Sequence, residues 1–153
     1  VLAGAGQFGR ADQGIFSWWI HRWAAGRPLS FIGFGGRGLQ VRDCLHPDDL
    51  ADVLLSQLAA ARGGEPELVN VSGGSVSGTS LAELSAWCAE RLGPHDIGVS
   101  HESRPYDLPW VVLDHAAATS RHGWKPARSV EQIFEEIADH AQRHPGWLDR
   151  CGG

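Results

Sequence analysis

The chain has 153 residues, 42% of them apolar and 20% charged, with a net charge of −5 and a pI of about 5.9. This is the make-up of one globular domain with a real core rather than of a disordered segment. An acidic balance without any Lys/Arg run argues against nucleic-acid binding through phosphates. No apolar stretch is long enough to span a bilayer, and no signal peptide is visible.

Val1–Ala3 reads as the end of a strand, followed by a glycine-rich loop, Gly4 to Gly9. From Gln13 to Ala25, Ile15, Trp18, Trp19 and Trp23 recur at helical spacing, and Gly26 supplies the stop. Leu29–Phe34 is a predicted strand, Gly33–Gly38 a turn and Leu39–Leu45 a returning strand. A helix follows from Pro47 to about Ala61, with Pro47 at its first position and Asp48 and Asp49 in its first turn. Its start makes His46 a capping residue rather than an acid or base.

Glu67–Val71 is a predicted strand. Ser80 with Glu83 forms a capping box for a helix from Leu81 to about Leu92. Ile97–Ser100 suggests another strand, and Asp114 to about His122 a short helix. Ser129 with Gln132 caps a last helix reaching Arg143. There is no internal repeat and no domain linker, so residues 1–153 read as a single unit.

The three cysteines, Cys44, Cys88 and Cys151, are odd in number and widely spaced. They suit neither a disulfide framework nor a zinc site, and point to reduced thiols in the cytoplasm. His140 and His144 stand one helical turn apart, which is metal-ligand spacing, but no third ligand is near in sequence. A solvated helix face is the expectation there, and no metal is assigned. The tryptophans are expected mainly in the core.

Two glycine patterns match a dinucleotide-binding turn. Gly4-x-Gly6-x-x-Gly9 precedes a helix, as such a turn must. However, Gly14 falls in the first turns of that helix, and no acidic residue ends the next strand to hold a ribose. Gly33-x-Gly35-x-x-Gly38 is followed by a strand-like run, so a turn between strands is expected.

Four segments carry a resemblance to a known family: Gln7-Phe8 with Asp12-Gln13-Gly14; Val41-Arg42-Asp43 with His46, Asp49 and Leu50; Val69-Asn70-Val71-Ser72-Gly73-Gly74 with Ser80-Leu81 and Glu83-Leu84; and Arg104-Pro105-Tyr106-Asp107 with Asp114 and Gly123-Trp124-Lys125-Pro126. Together they resemble the distal half of the extended short-chain dehydrogenase/reductases, the NAD-dependent epimerase/dehydratase family. The nearest subgroup is the CDP-paratose (tyvelose) 2-epimerases. Ser72 and Tyr106 replace glycines of the family pattern, Ala117 stands where many relatives carry Lys, and the tail around Pro145-Gly146-Trp147-Leu148 lies outside it.

The resemblance implies an α/β fold: the C-terminal, substrate-binding portion of such an enzyme, with remnant strands of its Rossmann sheet. It also implies a nucleotide-diphosphate sugar as ligand and NAD as cofactor, held by an N-terminal part upstream of Val1. The family's Y-x-x-x-K catalytic pair is not here. Tyr106 is the only tyrosine, and Trp110, not Lys, stands four residues on. A first residue other than Met, in a chain without Met, adds to the expectation of a portion that is inactive alone, with a parent that forms a homo-oligomer.

No catalytic or cofactor-binding residue is therefore assigned. In relatives, arginines matching Arg42 and Arg104 contact the pyrophosphate, and a planar guanidinium fork suits that task. Asp107 is expected to accept from a sugar hydroxyl or to orient Arg104. Gln7, Asp12 and Gln13 are expected to read polar groups of sugar or base, or else to serve the loop and the helix start. Phe8 stacks on the base or packs in the core. The implied chemistry is hydride abstraction by NAD and return to the opposite face, to which this portion contributes binding and orientation. Two other readings stay open: a free-standing nucleotide-binding domain using Gly4–Gly9 as a cofactor turn, and a non-catalytic interaction domain. Within the family, a dehydratase or decarboxylase shares this half.

Overall fold

The computed structural model describes residues 1–10, 13–60, 68–102 and 107–150. Helix α1 (Ile15–Ala24) organises the larger of two apolar clusters. Its buried Phe16, Trp19, Ile20 and Trp23 fall at i, i+3, i+4 and i+7, one face of a 3.6-residue period. That face meets helix α5 (Val130–Arg143) and helix α3 (Leu81–Leu92). Phe16 packs on Phe134 with ring centroids 5.4 Å apart, and Trp19 stacks on Phe31 at 5.5 Å. The indole N–H of Trp19 donates to Ser85 Oγ at 3.0 Å and that of Trp23 to the Gly93 carbonyl at 2.9 Å. Each ring thus buries its apolar area without orphaning its donor. Burying one such side chain stabilises the fold by about 1.5–3 kcal/mol.

The strands are short. β1 (Leu29–Ile32) pairs in parallel with β4 (Ile97–Ser100), Leu29 opposite Ile97. β2 (Val41–Arg42) lies between β3 (Thr79–Ser80), antiparallel to it, and β5 (Trp110–Val111), parallel to it. Leu2 makes a parallel bridge to Leu45, with Ala3 N–H donating to the Leu45 carbonyl at 2.9 Å. The second apolar cluster gathers Leu45, Val53, Ala118 and Trp124. They come from the strand end, helix α2 (Pro47–Ala60), helix α4 (Ala116–His122) and the segment after it. Helix α6 (Trp147–Arg150) closes the described chain.

Both predicted capping boxes form. Ser80 Oγ accepts from the Glu83 amide at 3.1 Å and Ser129 Oγ from the Gln132 amide at 3.3 Å, each with the reciprocal side-chain bond. His46 caps α2, its Nδ1 accepting from the Asp48 amide at 3.1 Å. The expected strand at Glu67–Val71 is a correction: Glu67 lies outside the described residues, and 68–71 are not a strand. A strand exists only beside a partner backbone, and none of the described strands runs beside this segment. Val69 and Val71 instead pack against the second cluster. Of Leu39–Leu45, only Val41–Arg42 pairs as a strand.

Candidate functional site

A cleft of about 560 Å³ opens between the start of α1, strand β2 and the glycine-rich loop. Ile15, Trp18, Trp19 and Ile32 supply apolar wall, and Gln7, Gln13, Arg42 and Asp107 supply polar groups. An apolar wall with a few converging polar groups is the usual make-up of a small-molecule site.

Each polar residue is fixed by its local structure. Arg42 is held in β2 between two partner strands. Its Nη2 donates to Asp107 Oδ1 at 2.8 Å and its Nη1 to the Val41 carbonyl at 2.8 Å. Both side chains of the ion pair are mostly buried, with relative exposures of 23% and 19%. Holding an arginine this way positions its planar fork while leaving further N–H donors for a ligand. Gln7 Oε1 accepts from Ser17 Oγ at 3.1 Å. Gln13 is exposed and pairs backbone to backbone with Arg10, whose N–H donates to the Gln13 carbonyl at 2.7 Å.

The remaining expected residues lie elsewhere. Phe8 neither lines the cleft nor enters the core. It is 57% exposed and stacks on Trp147, with centroids 5.0 Å apart and planes 6° off parallel. Asp12 and Arg104 lie outside the described residues, as does Tyr106. Trp18, half-buried on the cleft wall with the Arg22 guanidinium 5.0 Å from its ring centre, was expected in the core. Helical spacing identified its helix but not which flank would face open space.

Behind the cleft, Asp43 is buried and knits three segments. The Ser72 hydroxyl donates to its Oδ2, and the Leu113 amide donates to the same oxygen at 2.9 Å. Burial pushes the Asp43 carboxyl up, while hydrogen bonds from the Ser72 hydroxyl and the Leu113 amide pull it down. Ser72, where the family pattern has glycine, is therefore a structural hydroxyl. Beside it, a Cβ on Gly73 would fall 1.9 Å from the Cys44 carbonyl oxygen, so only glycine fits. Burial raises the thiols of Cys44 and Cys88 to about 12, which makes both inert at neutral pH.

The Gly4–Gly9 turn does not fit a dinucleotide. At Gly9 an added Cβ would lie 2.4 Å from the Trp18 backbone nitrogen, so the loop packs directly on α1 there and only glycine fits. The space in front of Gly4 is closed by Pro47 and His46. Helix α1 starts only at Ile15 and has a left-handed Gly14 at its N-cap, so its first amides are not presented to the turn as phosphate binding requires. Among the described residues no group of three or more His, Cys, Asp or Glu could hold a metal, and no helix is long and apolar enough to cross a membrane.

Residues 1–72 match the model of the NAD dependent epimerase/dehydratase family. Over 133 residues the chain is 29% identical to a dTDP-glucose 4,6-dehydratase of Xanthomonas campestris pv. campestris, covering 81% of this chain and 36% of that protein. The fold is similar to that of a UDP-glucose 4-epimerase from Thermotoga maritima solved with UDP-glucose: TM-score 0.76, 23% identity, 93% of this chain and 43% of that one. It is equally similar to a UDP-glucuronic acid 4-epimerase from Bacillus cereus, solved with UDP-glucuronic acid and NAD: TM-score 0.77, 21% identity, 94% and 43% of the two chains. The chain thus spans less than half the length of these relatives. Its fold is an α/β fold similar to that of these two epimerases, and its first 72 residues match the NAD dependent epimerase/dehydratase family model.

Proposed function

We propose that residues 1–153 form the sugar-nucleotide-binding half of an NAD-dependent nucleotide-sugar epimerase or dehydratase, inactive by themselves. The observation that carries this reading is the cleft, which Arg42, braced by Asp107, lines together with Gln7, Gln13 and Trp18. A fixed guanidinium suits a diphosphate, the amides suit sugar hydroxyls, and the half-buried Trp18 indole suits a ring. The resemblance of Gln7-Phe8 and Asp12-Gln13-Gly14 to the CDP-paratose 2-epimerases makes a CDP-sugar the first ligand to try, with UDP- and dTDP-sugars next. NAD and the Tyr–Lys pair belong, on this reading, to protein outside residues 1–153, since Tyr106 is the only tyrosine here and Trp110, not Lys, stands four residues on. The segment binds and orients; it moves no proton or hydride.

The test is calorimetric titration of the full-length protein with CDP-, UDP- and dTDP-glucose and, separately, with NAD. Arg42→Ala should weaken the preferred sugar nucleotide by about 1.5–3 kcal/mol, the scale of a lost charged hydrogen bond. It should leave NAD affinity unchanged. Equal losses for both ligands would make Arg42 a structural residue and remove the diphosphate from this cleft.

A further inference from the structure

The tail segment Pro145-Gly146-Trp147-Leu148 has no place in the family pattern, yet it touches the loop that lines the cleft. The Trp147 indole N–H donates to the Gln7 carbonyl at 3.3 Å, and its ring lies face to face with Phe8, 5.0 Å away. The same side chain therefore holds two consecutive loop residues, one by backbone and one by ring. Gln7 is gripped at its other end by Ser17 of α1, which donates to its amide oxygen at 3.1 Å.

The tail can hold because it is itself anchored. Leu148 is 2% exposed, Asp149 is paired with Arg27, and the Trp147 amide donates to the His144 carbonyl at 2.9 Å. His140 on α5 meets the indole edge-on at 4.9 Å. The loop needs such a brace. It carries glycines at positions 4, 6 and 9, with Gly6 in the left-handed region at φ 73, and Phe8 has no core pocket to enter.

We propose that Trp147 is a positioning residue: from outside the cleft it holds the 4–10 loop in the shape that presents Gln7 to a sugar nucleotide. The inference rests on the sugar-nucleotide reading of the cleft. A pre-ordered loop has less freedom to lose on binding, so removing the brace costs affinity without touching the ligand. Trp147→Phe keeps a ring over Phe8 and loses the N–H, whereas Trp147→Ala loses both.

The experiment compares the two variants with wild type in the full-length protein. Amide exchange is read over residues 5–10 without ligand, and UDP-, dTDP- and CDP-glucose affinities are measured by calorimetry. Trp147→Ala should speed exchange in the loop while α3 and the buried face of α1 stay protected. It should weaken the bound sugar nucleotide by about 3–10-fold, the scale of ordering one or two side chains, with NAD affinity unchanged. Trp147→Phe should fall between the two. Wild-type loop exchange and wild-type affinity in Trp147→Ala would overturn the proposal, as would faster exchange spread evenly over the whole chain. If wild type binds no sugar nucleotide, the reading of the cleft fails and this role fails with it. If wild type binds and only the variant series is flat, the failure belongs to Trp147 alone.

Discussion

His21 shows how one buried side chain makes the fold sensitive to pH. It is 4% exposed in the middle of α1, and its Nδ1 lies 2.8 Å from the Ser17 carbonyl, an acceptor only. Nδ1 must therefore carry the proton, which leaves Nε2 as an acceptor for His140 Nδ1 at 3.2 Å. Charging His21 would place a second proton at that contact, in a buried site. Burial lowers its pKa from the ordinary 6.5, and the Ser17 bond only partly offsets this. His140 is lowered as well, by burial first and then by His21, His144 and Arg143. The unfolded chain thus takes up protons at a higher pH than the folded one, so stability rises with pH through this range. The contribution is complete above about pH 6.5 and is lost as the pH falls from there toward the folded value. Thermal melts should give a lower Tm at pH 5.5 than at 7.5, and His21→Gln should flatten that slope. An unchanged slope would place the titration elsewhere.

At the scale of elements, those with their own chemical punctuation were legible from sequence. Helix α3 and helix α5 begin where Ser80 and Ser129 said they would, because a capping box is a local device that needs no tertiary partner. Strand β4 was likewise found with its bounds. The two-residue strands were not. β3 and β5 are two residues each and exist only because β2 runs between them. The segment 68–71 has a strand's residues and no strand beside it. The cleft shows the same division. Motifs pointed to Gln7, Gln13, Arg42 and Asp107, all of which line it, whereas Trp147 is joined to Gln7 across 140 positions and carried no sequence signal. The local character of the caps also sets their energies. Ser80→Ala should destabilise the fold by about 1 kcal/mol, the ordinary cost of a lost N-cap. Glu83, whose carboxyl is held below its usual pKa by hydrogen bonds from the Ser80 side chain and backbone, would then titrate nearer its ordinary value. Chemical denaturation and a side-chain NMR titration check the two effects separately.

The whole molecule carries apolar surface that its own clusters do not use. On α2, Leu54, Leu55 and Leu58 are 50%, 64% and 72% exposed, and Trp110 at the edge strand β5 is 63% exposed. Leucines at i, i+1 and i+4 form one contiguous helix flank, and an edge strand with an exposed aromatic invites pairing with another chain. Residues 1–153 made by themselves should therefore self-associate at micromolar concentration. Leu55→Lys together with Leu58→Lys should shift the species toward monomer in light scattering behind a sizing column. A monodisperse wild-type monomer would show that these side chains need no cover.

The contact between α1 and α5 also has a consequence for synthesis. His21 meets His140 across 119 positions, and the larger apolar cluster is shared between the same two helices. As the chain leaves the ribosome, α1 emerges well before α5, its main helical partner. At a translation rate of about 5–20 residues per second, that interval is roughly 6–24 s. Throughout it Phe16 lacks Phe134, whereas Trp19 and Trp23 wait a shorter time, for Phe31, Ser85 and Gly93.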